Sequence, residues 1–218
     1  MTLTEVLPQV YWIAFPDSQS AARCFMRFQE HYESPEFRNK IFSHSKYRKW
    51  YAKTNEKKTC TYHNDWNGFN IPSYALLPFY SGAFNPLTRA EQDLLALLMY
   101  KTGKYYVIAS AESDKETLKH EMMHGLYYTN RQYQVQVDKK LQKSALLPML
   151  EKVFRKLGYH PDVYIDEANA YLVTCKETLA KEGFPIEKLS DFCQQLDDLF
   201  QYYKTTGEAE LCSGKSTT

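Results

Sequence analysis

Residues 120 to 124 read His-Glu-Met-Met-His. Histidines four apart stand one above the other on a single face of an α-helix, so both imidazoles can reach one metal ion at about 2.0–2.1 Å. Glu121 is then held beside the ion's open position, within reach of a bound water. That is zinc-hydrolase chemistry: the ion lowers the pKa of its water toward about 7, Glu121 accepts the proton, hydroxide attacks a carbonyl, and Glu121 returns the proton to the leaving amine. Leu118, Met122, Met123, Gly125 and Leu126 leave the flanks uncharged apart from Lys119, as expected of a helix under a catalytic cleft.

Two histidines do not complete such a site; three protein ligands plus water is the usual set. The metzincin continuation needs glycine at 127 and histidine at 130, where Tyr127 and Asn130 stand. A cysteine ligand of the peptide-deformylase kind needs a Gly-Cys-Leu setting that Cys60 lacks. The favoured third ligand is therefore Glu167, in the helical stretch VYIDEANAYL. Asp166 and His160 stay open as alternatives. Asp166 points about 100° away from Glu167 on a helix, so the two cannot both face the ion. His160 sits in a Gly-Tyr-His-Pro loop, and His31, His44 and His63 have no partner at metal spacing and read as surface residues. The developing oxyanion needs a donor besides the metal. Of Tyr127, Tyr128 and Tyr164, Tyr164 is the first choice as a catalytic phenol, because it lies one helical turn before Glu167 and shares its face.

The run from Thr117 to Leu126, followed by Glu167-Ala168-Asn169, resembles the zincin clan of metallopeptidases, specifically its gluzincin-like members. The likeness covers residues 117 to 128 and 164 to 172. It implies a zincin-like domain with the motif on an active-site helix and one Zn2+ per chain held by His120, His124 and Glu167. It also implies Glu121 as general base and a peptide or protein substrate. Gluzincins often carry an aspartate four residues after the ligand glutamate to orient a histidine. Tyr171 occupies that position here, so the orienting role falls to its hydroxyl or to another acid.

The elements that must position these residues read as an α+β fold, predominantly helical with a small sheet. VYWIAF at 10 to 15 has the content of a buried strand, and residues 18 to 32 carry a helical apolar stripe. Ser34-Pro35-Glu36 looks like a helix start. Residues 59 to 86 mix one possible strand with turn chemistry, and Trp66-Asn67-Gly68 reads as a tight turn. Thr88 to Glu91 forms a capping box before a helix reaching about Lys101, and Ser113 to Glu116 forms a second one before the motif helix. Between them KYYVIAS at 104 to 110 reads as a strand, and as an edge strand it would pair with an extended substrate. Helices follow over about 133 to 157, 161 to 182 and 186 to 204. The expected organisation is one domain over 1–204, with an N-terminal α/β part to 110, a helical part from 111 that carries the ligands, and a disordered polar tail at 205–218.

With 218 residues the chain can bury a substantial core, and a net charge of +1 argues against a dedicated nucleic-acid protein. The stretch from Arg38 to Lys58 is the exception, with eight Lys or Arg interleaved with Tyr47, Trp50 and Tyr51. Such a run can track phosphates and stack bases, or it is a solvated amphipathic helix with its rings inward. A nucleic-acid-responsive regulator and a metal-free helical interaction module are the rival classes. Neither a standard signal peptide nor a membrane span is legible, and five cysteines without CxxC spacing fit a reducing compartment. The cytoplasm is the expected location. The polar C-terminus is alternatively read as the delivery signal of a translocated effector.

Overall fold

The computed structural model describes residues 1–213. β1 (Thr2–Leu7) and β2 (Val10–Phe15) form an antiparallel hairpin turned at Pro8-Gln9, with Gln9 at a φ of 62°. α1 (Ser18–Glu33) starts where Asp17 accepts the Ser20 N–H at 2.6 Å. α2 (His44–Thr54) and the short α3 (Tyr62–Asp65) lead into β3 (Gly68–Pro72); α4 (Leu77–Tyr80) and α5 (Arg89–Leu98) precede β4 (Tyr106–Ala111). The rest is helical: α6 (Lys115–Thr129), α7 (Arg131–Gln142), α8 (Leu147–Leu157), α9 (Tyr164–Thr174), α10 (Lys176–Lys181) and α11 (Ser190–Ser213).

The four strands lie in the order β1-β2-β4-β3, with β2 and β4 parallel and both outer pairs antiparallel. A parallel pair needs a long crossover, and α1 to α5 supply it on one face of the sheet. Successive strand residues face opposite ways, so the sheet divides two cores. Ile13, Phe15, Phe69, Ile71, Val107 and Ala109 pack with α1 and α5, while Val10, Tyr106 and Ile108 pack under α6, α7, α9 and α11. The result is a three-layer α+β arrangement. At its centre α6 approaches β2 so closely that a Cβ on Gly125 would lie 2.6 Å from Val10 Cγ1.

Several expectations change. Strand 104–110 is internal, paired on both sides, and β3 is the edge strand beside the site. The Ser34 start does not propagate: Ser34 Oγ accepts from Phe37 N at 3.3 Å, the chain turns, and the next helix waits for the Ser43 cap. The motif helix is capped by Asp114, which accepts from Thr117 N at 2.9 Å, one residue later than expected. The helix expected over 133–157 is broken before Pro148, which suits the first turn of a new helix and has no N–H to continue an old one. Residues 205–213 are not an unstructured tail. They continue α11, and Gly207 is buried so near the β1–β2 turn that a Cβ there would meet Pro8 Cδ at 2.9 Å. Residues 214–218 lie outside the described ones.

In α2 the rings turn inward. Tyr47 is buried and Trp50 and Tyr51 half-buried, packed among Phe37 and Tyr62, while Lys46, Arg48, Lys49 and Lys53 are exposed. That is the solvated amphipathic helix, with its rings turned to the side opposite its exposed basic residues. His31 is buried with its Nδ1 3.0 Å from the Lys40 carbonyl, and His44 Nε2 lies 3.1 Å from Glu91 Oε1; neither is a bare surface residue.

The N-terminal layer is pinned by a buried fork. Arg27 Nε and Nη2 donate to the two Glu91 oxygens at 2.7 and 2.5 Å, Arg27 Nη1 donates to the Phe84 carbonyl, and Glu91 also closes the capping box with Thr88. Burial alone would raise the Glu91 carboxyl, but the hydrogen bonds from Arg27, His44 and Thr88 outweigh it and hold it down at about 2. A depressed carboxylate stabilises the fold above its unfolded value of about 4.5 and loses that contribution as pH falls toward 2. Acid titration of unfolding should therefore show roughly 3 kcal/mol lost across that window, and Glu91→Gln should flatten it. Arg27→Met, which leaves the acid buried without its partner, should cost about 3–5 kcal/mol in urea unfolding at pH 7.

Candidate metal centre

α6 and α9 cross so that three side chains converge. His120, His124 and Glu167 each offer a ligand atom, all within 4.8 Å of one another. The two Nε2 atoms are 3.2 Å apart, and Glu167 Oε1 is 3.8 Å from His124 Nε2. Each imidazole is held from behind. His120 Nδ1 lies 2.7 Å from Thr174 Oγ1, whose hydroxyl donates onward to the Ala170 carbonyl at 2.8 Å; Nδ1 is thus the protonated nitrogen and Nε2 keeps its lone pair forward. His124 Nδ1 faces Asp166 Oδ1 at 3.0 Å.

Asp166 and Glu167, consecutive on α9, thus reach different sides of one histidine. The carboxylate against His124 Nδ1 is Asp166, at ion-pair distance and outside hydrogen-bond geometry, so Asp166 and not Tyr171 is placed to orient that ring. Tyr171 sets its ring edge-on against His120 at 5.4 Å and pairs its hydroxyl with Tyr159 at 2.9 Å. Burial lowers His120 well below the ordinary imidazole range, and the nearby charge of His124 adds to this. Burial pulls His124 the same way, but Asp166, Glu167 and Glu121 overcome it and raise it well above that range. Without a metal, one proton therefore sits on His124 beside a neutral His120. Glu167 is raised by burial, and its Oε2 is buried with no hydrogen-bond partner. His120 offers a forward lone pair, His124 a second once its proton is displaced, and Glu167 an orphaned carboxylate oxygen; this is the donor set a tetrahedral metal site with one open position requires, so the residues present fit a divalent ion.

Glu121 stands beside this group without belonging to it. Its Oε2 accepts from Asn70 Nδ2 at 2.9 Å, and Asn70 Oδ1 in turn accepts from Tyr106 Oη at 2.5 Å. Its Oε1 lies over Gly68, where a Cβ would come within 2.1 Å, so any larger residue at 68 would push the carboxylate aside. Burial raises Glu121 to about 7, against the lowering effects of His124 and Asn70. From α1, Gln29 Oε1 caps the outward Asn70 N–H at 2.9 Å, while Gln29 Nε2 donates to Glu33. The cleft onto which His120, Glu121, His124, Glu167 and Asn70 open has a volume of about 370 Å3.

Of the residues singled out in the sequence, His120, Glu121, His124 and Glu167 come together. His160 does not join them; its Nδ1 lies 2.7 Å from Arg38 Nη1, on another surface. Tyr164 is a correction: it is buried in the helical core against Phe154, and the cleft phenols are Tyr159 and Tyr171. Tyr127 is taken by Asp138 at 2.6 Å, and Tyr128 packs on Tyr106. Trp66-Asn67-Gly68, read as an ordinary turn, lines the cleft. Gln29, Glu33, Asn70 and Tyr159 carried no local signal, since they arrive from three separate segments. Compared with known protein families, curated proteins and solved structures, the chain matches none.

Metal titration of the purified protein should give one equivalent bound, with Glu167→Ala and His124→Ala abolishing uptake. Asp166→Asn should weaken affinity about 10–100-fold, the usual cost of losing an orienting carboxylate. Because the proton on His124 must leave, binding should release protons, and affinity should keep rising with pH above the ordinary imidazole range.

Proposed function

We propose that the chain is a zinc-dependent metallopeptidase of gluzincin-like type, with His120, His124 and Glu167 as ligands and Glu121 as general base. The observation that carries this reading is the separation of roles: three donors converge, and a fourth buried acid, tethered by Asn70, stands next to them outside the ligand set. When bound, the ion would supply Lewis-acid polarisation of a carbonyl and a water of low pKa. Glu121, with its carboxyl near neutrality, takes and returns a proton, and Asn70 fixes its orientation. The Tyr159–Tyr171 hydroxyl pair replaces Tyr164 as the donor proposed for the developing oxyanion. β3, the edge strand beside Glu121, replaces the internal strand as the element proposed to lie along an extended substrate.

The nucleic-acid reading is the weaker one because the α2 rings are packed inward. A metal-free interaction module leaves the Glu167 oxygen buried without purpose. Among the described residues no helix is long and apolar enough to cross a membrane. A cytoplasmic setting, in the producing cell or after delivery into another, is our proposal, resting on the five free thiols.

Glu121→Gln should retain the metal and the fold while hydrolysis of a mixed peptide library falls about 10²–10⁴-fold. Wild-type turnover in that variant would remove Glu121 from the mechanism.

A further inference from the structure

A second cavity, of about 560 Å3, opens beside the metal cleft and shares Gln29, Glu33, Trp66, Gly68 and Tyr159 with it. Its remaining walls include a cluster of rings: Tyr47, Trp50 and Tyr51 from α2, Tyr62 from α3, and Phe69 from β3. Glu30 and Glu33 of α1 project into this box. Glu30 is only 8% exposed, and burial pushes its carboxyl up to about 7. Among the lining residues Lys156 is the one cation, and it is paired with Glu182 and turned to solvent with 70% of its side chain exposed. Two acids therefore face rings with no protein cation between them.

Polar atoms are left over in the same place. Tyr62 is fully buried and its hydroxyl falls outside hydrogen-bond geometry with any neighbour; the indole N–H of Trp66 is also buried without an acceptor. Each such group costs about 1–3 kcal/mol unless something supplies its partner. Tyrosine and tryptophan faces attract a cation within about 6 Å of the ring centre, more strongly where water is excluded. A neutral aromatic or aliphatic group would fill the space but bring no positive charge to either acid. An anion would be repelled.

We propose that this cavity is a cation-selective subsite that takes the lysine or arginine side chain of a peptide whose backbone crosses the metal cleft, an inference that rests on the peptidase reading. The ammonium or guanidinium sits against Glu30 and the Tyr62 hydroxyl, and its methylene stem lies along the rings of α2. Trp66, which lines both cavities, gives its N–H to a carbonyl of the passing backbone.

Two of the three tryptophans, Trp50 and Trp66, line the cavity, so binding can be read by intrinsic fluorescence without any turnover. The zinc-loaded full chain is titrated with n-butylguanidinium and n-butylammonium, and with n-butylurea and n-butanol as neutral counterparts. We expect the cations to bind at least about tenfold tighter than the neutral probes, and Glu30→Gln to bring that ratio close to one. In parallel, peptides differing at a single position should show about tenfold higher kcat/KM with Lys or Arg than with norleucine or citrulline. If Glu30→Gln misfolds by circular dichroism, Tyr62→Phe decides instead: it keeps the ring and should selectively weaken the cations, and an unchanged ratio overturns the proposal. Equal affinity for butylurea and butylguanidinium, or a preference that survives Glu30→Gln, also overturns it. Cation binding without cleavage of any peptide overturns the peptidase reading and leaves the subsite standing; cleavage with no basic preference does the reverse.

Discussion

His124 is the pivot of this molecule. Its two ring nitrogens are addressed by consecutive residues of one helix, with Asp166 at Nδ1 and Glu167 on the Nε2 side. An α-helix turns about 100° per residue, so neighbouring carboxylates on α9 can embrace an imidazole that enters edge-on from α6 but cannot both face the same ion. This geometry holds only while α6 and α9 stay at their crossing distance. Thr174, two turns further along α9, repeats the arrangement for His120. One helix thus supplies Glu167, the third ligand of the proposed metal site, and the groups that back the two imidazoles.

The crossing is held in place by the sheet. Gly125, directly after His124, lets α6 settle onto Val10 of β2, and Gly68 at the start of β3 leaves room for the Glu121 carboxylate. The bond from Asn70 to Glu121 then ties the motif helix to the edge strand. Both cores contribute to the site: α6 and α9 belong to the C-terminal layer, while Gln29 and Glu33 reach past β3 from the N-terminal one. The Arg27–Glu91 fork on the far side of α1 steadies the helix that delivers them.

Electrostatically the cleft and its neighbouring cavity are rich in buried acids. Burial raises Glu30, Glu33, Glu121, Asp166 and Glu167 alike. Against them, in the metal cleft, stands the positive charge favoured on His124. Desolvated carboxylates are stabilised by a metal ion or a basic side chain far more than by water they cannot reach. The two roles proposed for the neighbouring cavities follow from their walls, since imidazoles suit a metal and aromatic faces suit an organic cation.

What the sequence determined by itself is local. The spacing of His120, Glu121 and His124 dictates a shared helix face, the Thr88–Glu91 box closes as read, and the strand at 10–15 has its expected limits. These need only the 3.6-residue period, a cap and a β-branched or aromatic run. Glu167 was reached by its place on a second helix, but nothing local distinguished its role from that of Asp166; the angle at which α9 meets α6 decides that. Tyr164 fails for the same reason, because sharing Glu167's helical half does not say which side the core claims. Tertiary structure alone decided that β3 and not β4 is the edge, that residues 205–213 extend a helix packed on the β1–β2 turn, and that Tyr159, Gly68, Asn70 and Glu33 meet at one cleft. Those outcomes depend on which strands pair and which layers close, a long-range balance of burial and hydrogen bonding that no window of neighbouring residues contains.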